Sequence, residues 1–363
     1  MKSEPRLAFI LDALPSLGGA EKVLFTALEA YPHADVFTLI YNRKVFEGSL
    51  LAQRKIQTSY LNMIPFAQRY HRLLLPLMPL AIELFDLRKY DGIVSFNYAV
   101  AHGVRNSNGV RHIAYTYTPM RYAWTNVNLD GTRTQQNFIV DQVMNAFRKW
   151  DVLAAARVHE FAAISQAVTE RIKLAWGRDA GLIYPPVETD RFSAQKERGQ
   201  YYITVSRLVP HKRIDLLVQA FSQLKLPLLV VGDGPELPYL KSLASSCIQF
   251  LGYQSDEKVE QLLSTARGFI CAAEEDFGIA IVEAQAAGCP VIAYRSGGAL
   301  ESVINNCTGL FFADQSIESV MAAVQEFEKR YLCFDVNEIV QNAKRFGKER
   351  FLQEFKHFVG FHD

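Results

Sequence analysis

The sequence lacks any run of the ~18–20 apolar residues that a bilayer-spanning helix needs. Its longest candidate, Leu73 to Ile82, contains Pro76 and Pro79 and ends at Glu83. It also lacks a charge excess. Lys and Arg number 39 against 38 Asp and Glu, a net of +1, whereas a general nucleic-acid binder carries a much larger basic surplus. No cysteine falls in a C-x-x-C pair. The five cysteines (Cys247, Cys271, Cys289, Cys307, Cys333) all lie in the second half, so neither a zinc site nor a disulfide framework is indicated. Cys271 and Cys289 sit in apolar, strand-like surroundings and are expected as small core residues. G-x-G-x-x-G and the P-loop pattern are missing, which removes support for hydride transfer by a dinucleotide fingerprint and for P-loop ATP chemistry. The eight histidines are scattered, and His159-Glu160 has no second histidine four residues after the first, so no metal site is expected. The start, MKSEPRLAFILDAL, runs directly into a strand pattern without a signal-peptide h-region. Together with the unpaired cysteines this leads to the expectation of a cytoplasmic protein in a reducing compartment.

What is present is a long alternation of short apolar runs with helical patterns. In 363 residues, 49% of them hydrophobic, that alternation predicts two α/β domains with parallel sheets. Strands are expected at Leu7–Leu11, Val36–Ile40, Gly92–Phe96, His112–Tyr115 and Phe161–Ile164. The pattern then restarts with strands in 201–208, 226–232, 248–252, 268–273 and 290–294, each followed by a helix, which describes a complete Rossmann-like unit. The boundaries are set at 1–185 for a first Rossmann-like domain, 186–200 for a linker and 201–336 for a second Rossmann-like domain. Residues 337–363 are expected to pack back on the first domain as a terminal helix. The linker assignment rests on Pro185-Pro186 and the dense charge that follows.

Three strand-to-helix turns are glycine-rich: Gly18-Gly19, Gly232-Asp233-Gly234 and Gly297-Gly298. Such turns lie at the carboxyl ends of parallel strands, where backbone can approach a phosphate; tight turns use glycine for their own sake as well. In SRLVPHKR, Arg207 follows a strand and Lys212 precedes a helix. Cations at a helix amino end oppose the macrodipole, so an anion between them is expected, a diphosphate being the natural choice. In EEDFGIAIVEAQAAGCPVIA, Glu275 lies in the loop after a strand and Glu283 about one turn into the next helix. Carboxylates there can accept pairs of hydroxyls, as sugars present them, or can simply cap the helix.

Glu275-x7-Glu283 followed by E-A-x-A-x-G-x-P-V-I-A resembles the signature of retaining GT-B glycosyltransferases of family 4. Gly18-Gly19-Ala20-Glu21, S-R-L-x-x-x-K, V-G-D-G-P, F-L-G-Y and G-G-x-x-E follow in the family's order, so the resemblance covers nearly the whole chain. The segments 75–104 and 115–124 are similar to bacterial mannosyltransferases of O-antigen and exopolysaccharide assembly. The resemblance implies two Rossmann-like doubly wound domains facing a cleft. It also implies transfer of a hexose, mannose from GDP-mannose, with retention, to a lipid-linked oligosaccharide. By the same resemblance Arg207 and Lys212 hold the donor diphosphate, Glu275 binds the transferred sugar and Glu283 binds the ribose. Gly18, Gly19, Ser206, Gly232, Phe277, Gly278 and Ile279 line the donor site, with Leu251, Gly252 and Tyr253 near the base. The mechanism implied is front-face attack, with the proton taken by a phosphate oxygen and no cofactor or metal. The chain has no Asp-x-Asp, consistent with that.

The sequence departs from the family pattern in the first domain, where Tyr98 and Tyr117 stand at positions that many relatives fill with histidine. Tyrosine is a poor base at neutral pH, and His102 and His112 are out of register. Tyr98, His102, Tyr117 and Arg121 are therefore acceptor-side candidates only, His102 more readily a packed core residue. From Leu51 to Leu129 there are nine Lys and Arg (Arg54, Lys55, Arg69, Arg72, Arg88, Lys89, Arg105, Arg111, Arg121) against three acids, an excess of six. Beside the apolar run at Leu73–Ile82 this suits a glycan on a lipid diphosphate and peripheral contact with the anionic cytoplasmic face of an inner membrane. An aromatic cluster with Arg121 in an ordinary ion pair fits the same residues. The partners expected are a nucleotide sugar and a lipid-linked glycan, with no nucleic acid. Two other readings stay open: the same fold with a UDP-sugar, or a two-domain α/β ligand-binding protein without chemistry.

Overall fold

The computed structural model describes residues 5–124, 138–195 and 197–360. Lys196 of the expected linker and residues 125–129 of the basic stretch lie outside the described residues, as does the side chain of Arg72. The chain divides into two compact units. The first runs to Pro186 and regains the C-terminal segment from Phe351; the second is Val187–Arg350.

The first unit is built on strands β1 (Leu7–Leu11), β2 (Asp35–Thr38), β3 (Ile56–Thr58), β4 (Gly92–Asn97), β5 (Arg111–Thr116), β6 (Glu160–Ala163) and β7 (Gly181–Leu182). All pair in parallel, in the order β3-β2-β1-β4-β5-β6-β7. The central strands β1 and β4 are buried at every position, as near-continuous apolar strands covered on both faces must be. The second unit carries β8 (Tyr202–Val205), β9 (Leu228–Val231), β10 (Ile248–Gly252), β11 (Gly268–Cys271), β12 (Val291–Tyr294) and β13 (Gly309–Phe312), also all parallel, ordered β10-β9-β8-β11-β12-β13. In each sheet the order reverses beside the first strand, between β1 and β4 and between β8 and β11. The loops leaving the carboxyl ends of those pairs diverge and leave room for a ligand.

Sequence periodicity did not mark β3, β7 or β13. The first two are edge strands of three and two residues, too short to show a pattern, and β13 makes the second sheet six-stranded. The stretch expected as a linker is largely built into the second unit. Val187 N–H donates to Phe346 O, and the Arg198 guanidinium donates to the carbonyls of Leu263, Ala266 and Ala287. Arg198 thus anchors backbone, while Glu188, Asp190 and Glu197 stay exposed. The helix Val336–Lys344 also stays with the second unit, where Asn342 Nδ2 donates to Gln285 Oε1 and Ser302 O, each at 2.7 Å. From Phe351 onward the last helix, Lys348–Val359, packs on the first unit through buried aromatics. The Phe355 ring lies 5.9 Å from Phe96 and 6.4 Å from Phe9, and Phe351 meets Tyr115 at 5.8 Å. Arg111 donates to the Val359 and Phe358 carbonyls, which complements the helix's negative end.

His112 is fully buried on β5, its Nε2 3.0 Å from Ser95 Oγ. Burial first, and then the nearby His102, His159 and Arg157, lower its pKa to about 3. The folded state thus holds His112 neutral while the unfolded chain protonates it below its ordinary value of about 6.5. Its contribution is complete above that value and is lost as pH falls toward 3, amounting to about 2–3 kcal/mol at pH 4.5. Denaturant unfolding of the chain and of His112→Gln at pH 7 and pH 4.5 checks this: the variant should lose less stability on acidification, and equal losses would remove His112 as the cause.

Candidate active site

The second unit gathers its site from the loops after β8 and β11, at the carboxyl end of its sheet. After β8 the chain runs through Ser206 and Arg207 into a 3₁₀ turn, Pro210–Lys212, and then Arg213, a non-glycine in the left-handed region at φ 51°. After β11 it passes Glu275, Phe277 and Gly278 into the helix Ile279–Ala286. Lys212 Nζ sits 2.7 Å from both carboxylate oxygens of Glu275, across the point where strand order reverses. The pair is about one-fifth exposed on each side. Cys271 Sγ lies 3.9 Å from the same carboxylate, its thiol pushed up to about 12 by burial and then by the Glu275 charge, so it stays protonated. Arg207 is exposed, and among the described residues no acid pairs with it. The anion that the sequence placed between two cations is thus, for Lys212, a carboxylate of the protein itself.

The glycines near this site do more than admit a ligand. A Cβ on Gly232 would lie 1.9 Å from Ser206 O, and one on Gly234 would lie 2.3 Å from Leu208 O. The amides of Ser206, Leu208 and Gly232 donate across these loops to Val231, Asp233 and Gly252. Gly297 and Gly298 press likewise against the Glu275–Phe277 backbone, where a Cβ would approach to 2.2 and 2.3 Å, and Gly298 N–H donates to Glu275 O. So the glycine turns let backbone approach backbone, and through that contact they fix Glu275. Phe277 buries its side chain against Phe346, rings 5.3 Å apart, and presents only backbone outward. Gly278, at φ 90°, turns the chain into the helix, whose first amides have no carbonyl four residues back to bond.

Glu283 is not joined to Glu275 by any direct contact among the described residues. Its Oε1 accepts from Arg191 Nη2 at 3.0 Å, and Arg191 also reaches Asp256 at 3.3 Å. Sequence reasoning missed Arg191 because it lay in the presumed linker. The available signal was a lone arginine five residues before the charged run Lys196–Arg198, and it was too weak to use. Leu251 and Gly252 end β10 at a bulge with Gly252 at φ 67°, and Tyr253 projects into solvent.

In the first unit the loops after β1 and β4 are tied by Asp12, which the sequence reading also missed. Its buried carboxylate accepts four backbone N–H groups, from Tyr98, Ala99, Val100 and Ala101, at 2.5–3.0 Å. Burial pushes its pKa up, and the four amides pull it back only in part. An acid directly after the apolar run LAFIL was the signal. The Tyr98 hydroxyl donates to Ala13 O, and that of Tyr117 donates to Ala20 O, so both brace the Gly18-Gly19 turn. Gly18 itself has extended backbone and caps the helix Gly19–Ala30. His102 lies wholly in the interior, with Nδ1 2.9 Å from Asn97 Oδ1, Nε2 3.2 Å from Asp151 Oδ1, and its ring against Trp176. Asp151 accepts the indole N–H of Trp124 and of Trp176 as well. This is a packing role, removed from any surface. Arg121 opens the short helix Arg121–Trp124 and is partly exposed.

The two parallel sheets are those of the GT-B fold. The structure superposes on the Anabaena protein HepE in complex with UDP with a TM-score of 0.74, covering 98% of this chain and 99% of that one at 18% identity. On sucrose-phosphate synthase from Thermosynechococcus elongatus the TM-score is 0.77, covering 97% and 98% at 18% identity. Residues 187–348 match the family described as Glycosyl transferases group 1. The chain thus has the GT-B architecture, and its second unit is similar to the group 1 glycosyl transferases. Among curated proteins, a GDP-mannose-dependent alpha-(1-6)-phosphatidylinositol monomannoside mannosyltransferase of Mycobacterium tuberculosis is 34% identical over 195 residues, 45% of this chain and 51% of that protein. The match therefore spans about half the length of that relative.

Removing one partner of the Lys212–Glu275 pair leaves the other charge partly buried, at a cost of about 1–3 kcal/mol. Lys212→Met and Glu275→Gln should each destabilise the chain in denaturant, and the double variant should lose less than the sum. Strict additivity in the double-mutant cycle would show that the pair carries no coupling.

Proposed function

We propose that the chain is a retaining mannosyltransferase that moves mannose from GDP-mannose to a lipid-linked oligosaccharide, as in O-antigen or exopolysaccharide assembly. The observation that carries this reading is the Arg207, Lys212 and Glu275 constellation at the strand-order reversal of a unit similar to the group 1 glycosyl transferases. The donor assignment is supported by the GDP-mannose dependence in the name of the matched mycobacterial relative.

In this reading Lys212 and the exposed Arg207 guanidinium neutralise the diphosphate and the charge that grows on it as the glycosidic bond breaks. Preorganised electrostatics of this kind is a large term in catalysis. Glu275 exchanges part of its hold on Lys212 for hydroxyls of the sugar, and the amides at Gly278 and Ile279 take further oxygens. Glu283, steadied by Arg191, accepts from the ribose. The acceptor hydroxyl attacks from the face the diphosphate leaves, and its proton passes to a phosphate oxygen, so neither a protein nucleophile nor a metal or other cofactor is required. The first unit takes the lipid-linked acceptor at a cytoplasmic membrane face.

A thermal-shift panel of GDP, UDP, ADP and their mannose and glucose conjugates tests the donor. A ligand at a hundred times its Kd adds about 2.7 kcal/mol, and GDP-mannose should give the largest shift. A response to UDP-sugars alone would overturn the mannose assignment. Lys212→Ala should lower kcat about 10²–10³-fold, read from donor turnover. A chelator should leave the rate unchanged; inactivation by it would sink the metal-free mechanism.

A further inference from the structure

Residues 60–84 of the first unit carry apolar side chains on two opposite sides. One side holds Ala67, Leu75, Met78, Ala81 and Ile82, all buried in the core. The other presents Phe66, Tyr70, Leu73, Leu77, Leu80 and Leu84, each between 45% and 72% exposed. Their spacing is four, three, four, three, four, the stride of a single stripe along a helical segment. The backbone runs through a short helix, Ala67–Tyr70, a 3₁₀ stretch, His71–Leu77, and a second short helix, Met78–Glu83, with Pro76 and Pro79 on either side of the second change of form. Phe66 holds a left-handed backbone at φ 60° and remains exposed, an arrangement that core packing does not require. A contiguous outward stripe of this kind on a folded chain marks a surface meant to be covered.

The charge around it selects the cover. From Gly48 to Ile82 the chain has no acidic residue and four cations: Arg54, Lys55, Arg69 and Arg72. Arg69 is exposed at the stripe itself, its guanidinium 5.5 Å from the Tyr70 ring centre. The acids that follow are already engaged. Glu83 accepts from Arg105, Arg157 and the Trp150 indole, and Asp86 from Arg88. A second copy of this face would bring cation against cation, because a two-fold contact is self-complementary. A bilayer with anionic headgroups instead offers acyl chains to the leucines and negative charge to the arginines.

We propose that the stripe Phe66–Leu84 is the docking face of this chain for an anionic phospholipid bilayer, entered to interfacial depth without spanning it. The inference draws its purpose from the lipid-linked acceptor proposed above, but its test uses no sugar. The full chain is sedimented with vesicles of phosphatidylcholine alone and of phosphatidylcholine with phosphatidylglycerol, at low and high salt. The expected result is pelleting with the anionic vesicles, weakened by salt. The combined variant Leu73→Ser, Leu77→Ser, Leu80→Ser should lower vesicle affinity at least about tenfold, since each leucine withdraws several methylene equivalents from the interface. Its melting temperature and its thermal response to nucleotide should be unchanged. Arg69→Glu is the independent variant and should weaken binding to anionic vesicles only. No pelleting with any vesicle, equal binding by the variants, or a dimer in sedimentation that the serine variant dissolves would each overturn the proposal. Failure here with an intact nucleotide response would leave the glycosyltransferase reading standing. A chain that pellets but ignores every nucleotide would do the reverse.

Discussion

One ion pair organises the candidate site: Lys212 on the loop after β8 with Glu275 on the loop after β11. Parallel strands release all their outgoing loops at one end of the sheet, and the reversal of strand order beside β8 sends those two loops apart. A lysine and a glutamate that span this divergence hold the gap at a defined width. They also keep a cation and a carboxylate partly desolvated together, each able to turn to a ligand with opposite demands. The pair can exist only because Gly297 and Gly298 allow the next loop to lie directly against the Glu275 backbone.

The same device occurs in the first unit with different chemistry. There the loops after β1 and β4 flank the reversal, and a single buried carboxylate, Asp12, gathers four amides of the second loop. Tyr98 and Tyr117 add their hydroxyls to carbonyls beside the Gly18-Gly19 turn. Burial raises both phenols well above their usual range, so they serve as neutral donors. The two units thus share a topology and differ in how rigidly their loops are held. In the first, an anion is saturated by backbone; in the second, an ion pair remains partly open to water.

Much of this was legible in the sequence. The strand–helix alternation predicted two parallel α/β units, because strands covered on both faces must be apolar almost throughout. The order of motifs pointed to the second-unit loops, since Arg207, Lys212, Glu275 and Glu283 each follow a strand. The partners of those residues were not legible. Lys212 and Glu275 lie 63 positions apart, and Arg191 and Glu283 lie 92 apart, so only the register of the sheet brings them together. Two adjacent prolines and a dense charged stretch read as a linker, whereas Arg198 in fact donates to three carbonyls of the second unit.

The sequence by itself determined most of the strands and helices, because periodicity and glycine placement are local properties of the chain; β3, β7 and β13 escaped it. It also determined that two units form, because each half carries enough apolar residues for its own core. Only the tertiary structure decided what the glycines are for, that His102 is packed inside against Asp151, and that the leucines of Phe66–Leu84 divide between a buried side and an exposed one. The reason is the same in each case. Contacts between distant segments depend on strand order and on which helix face meets the sheet, and neither is written in the spacing of neighbouring residues.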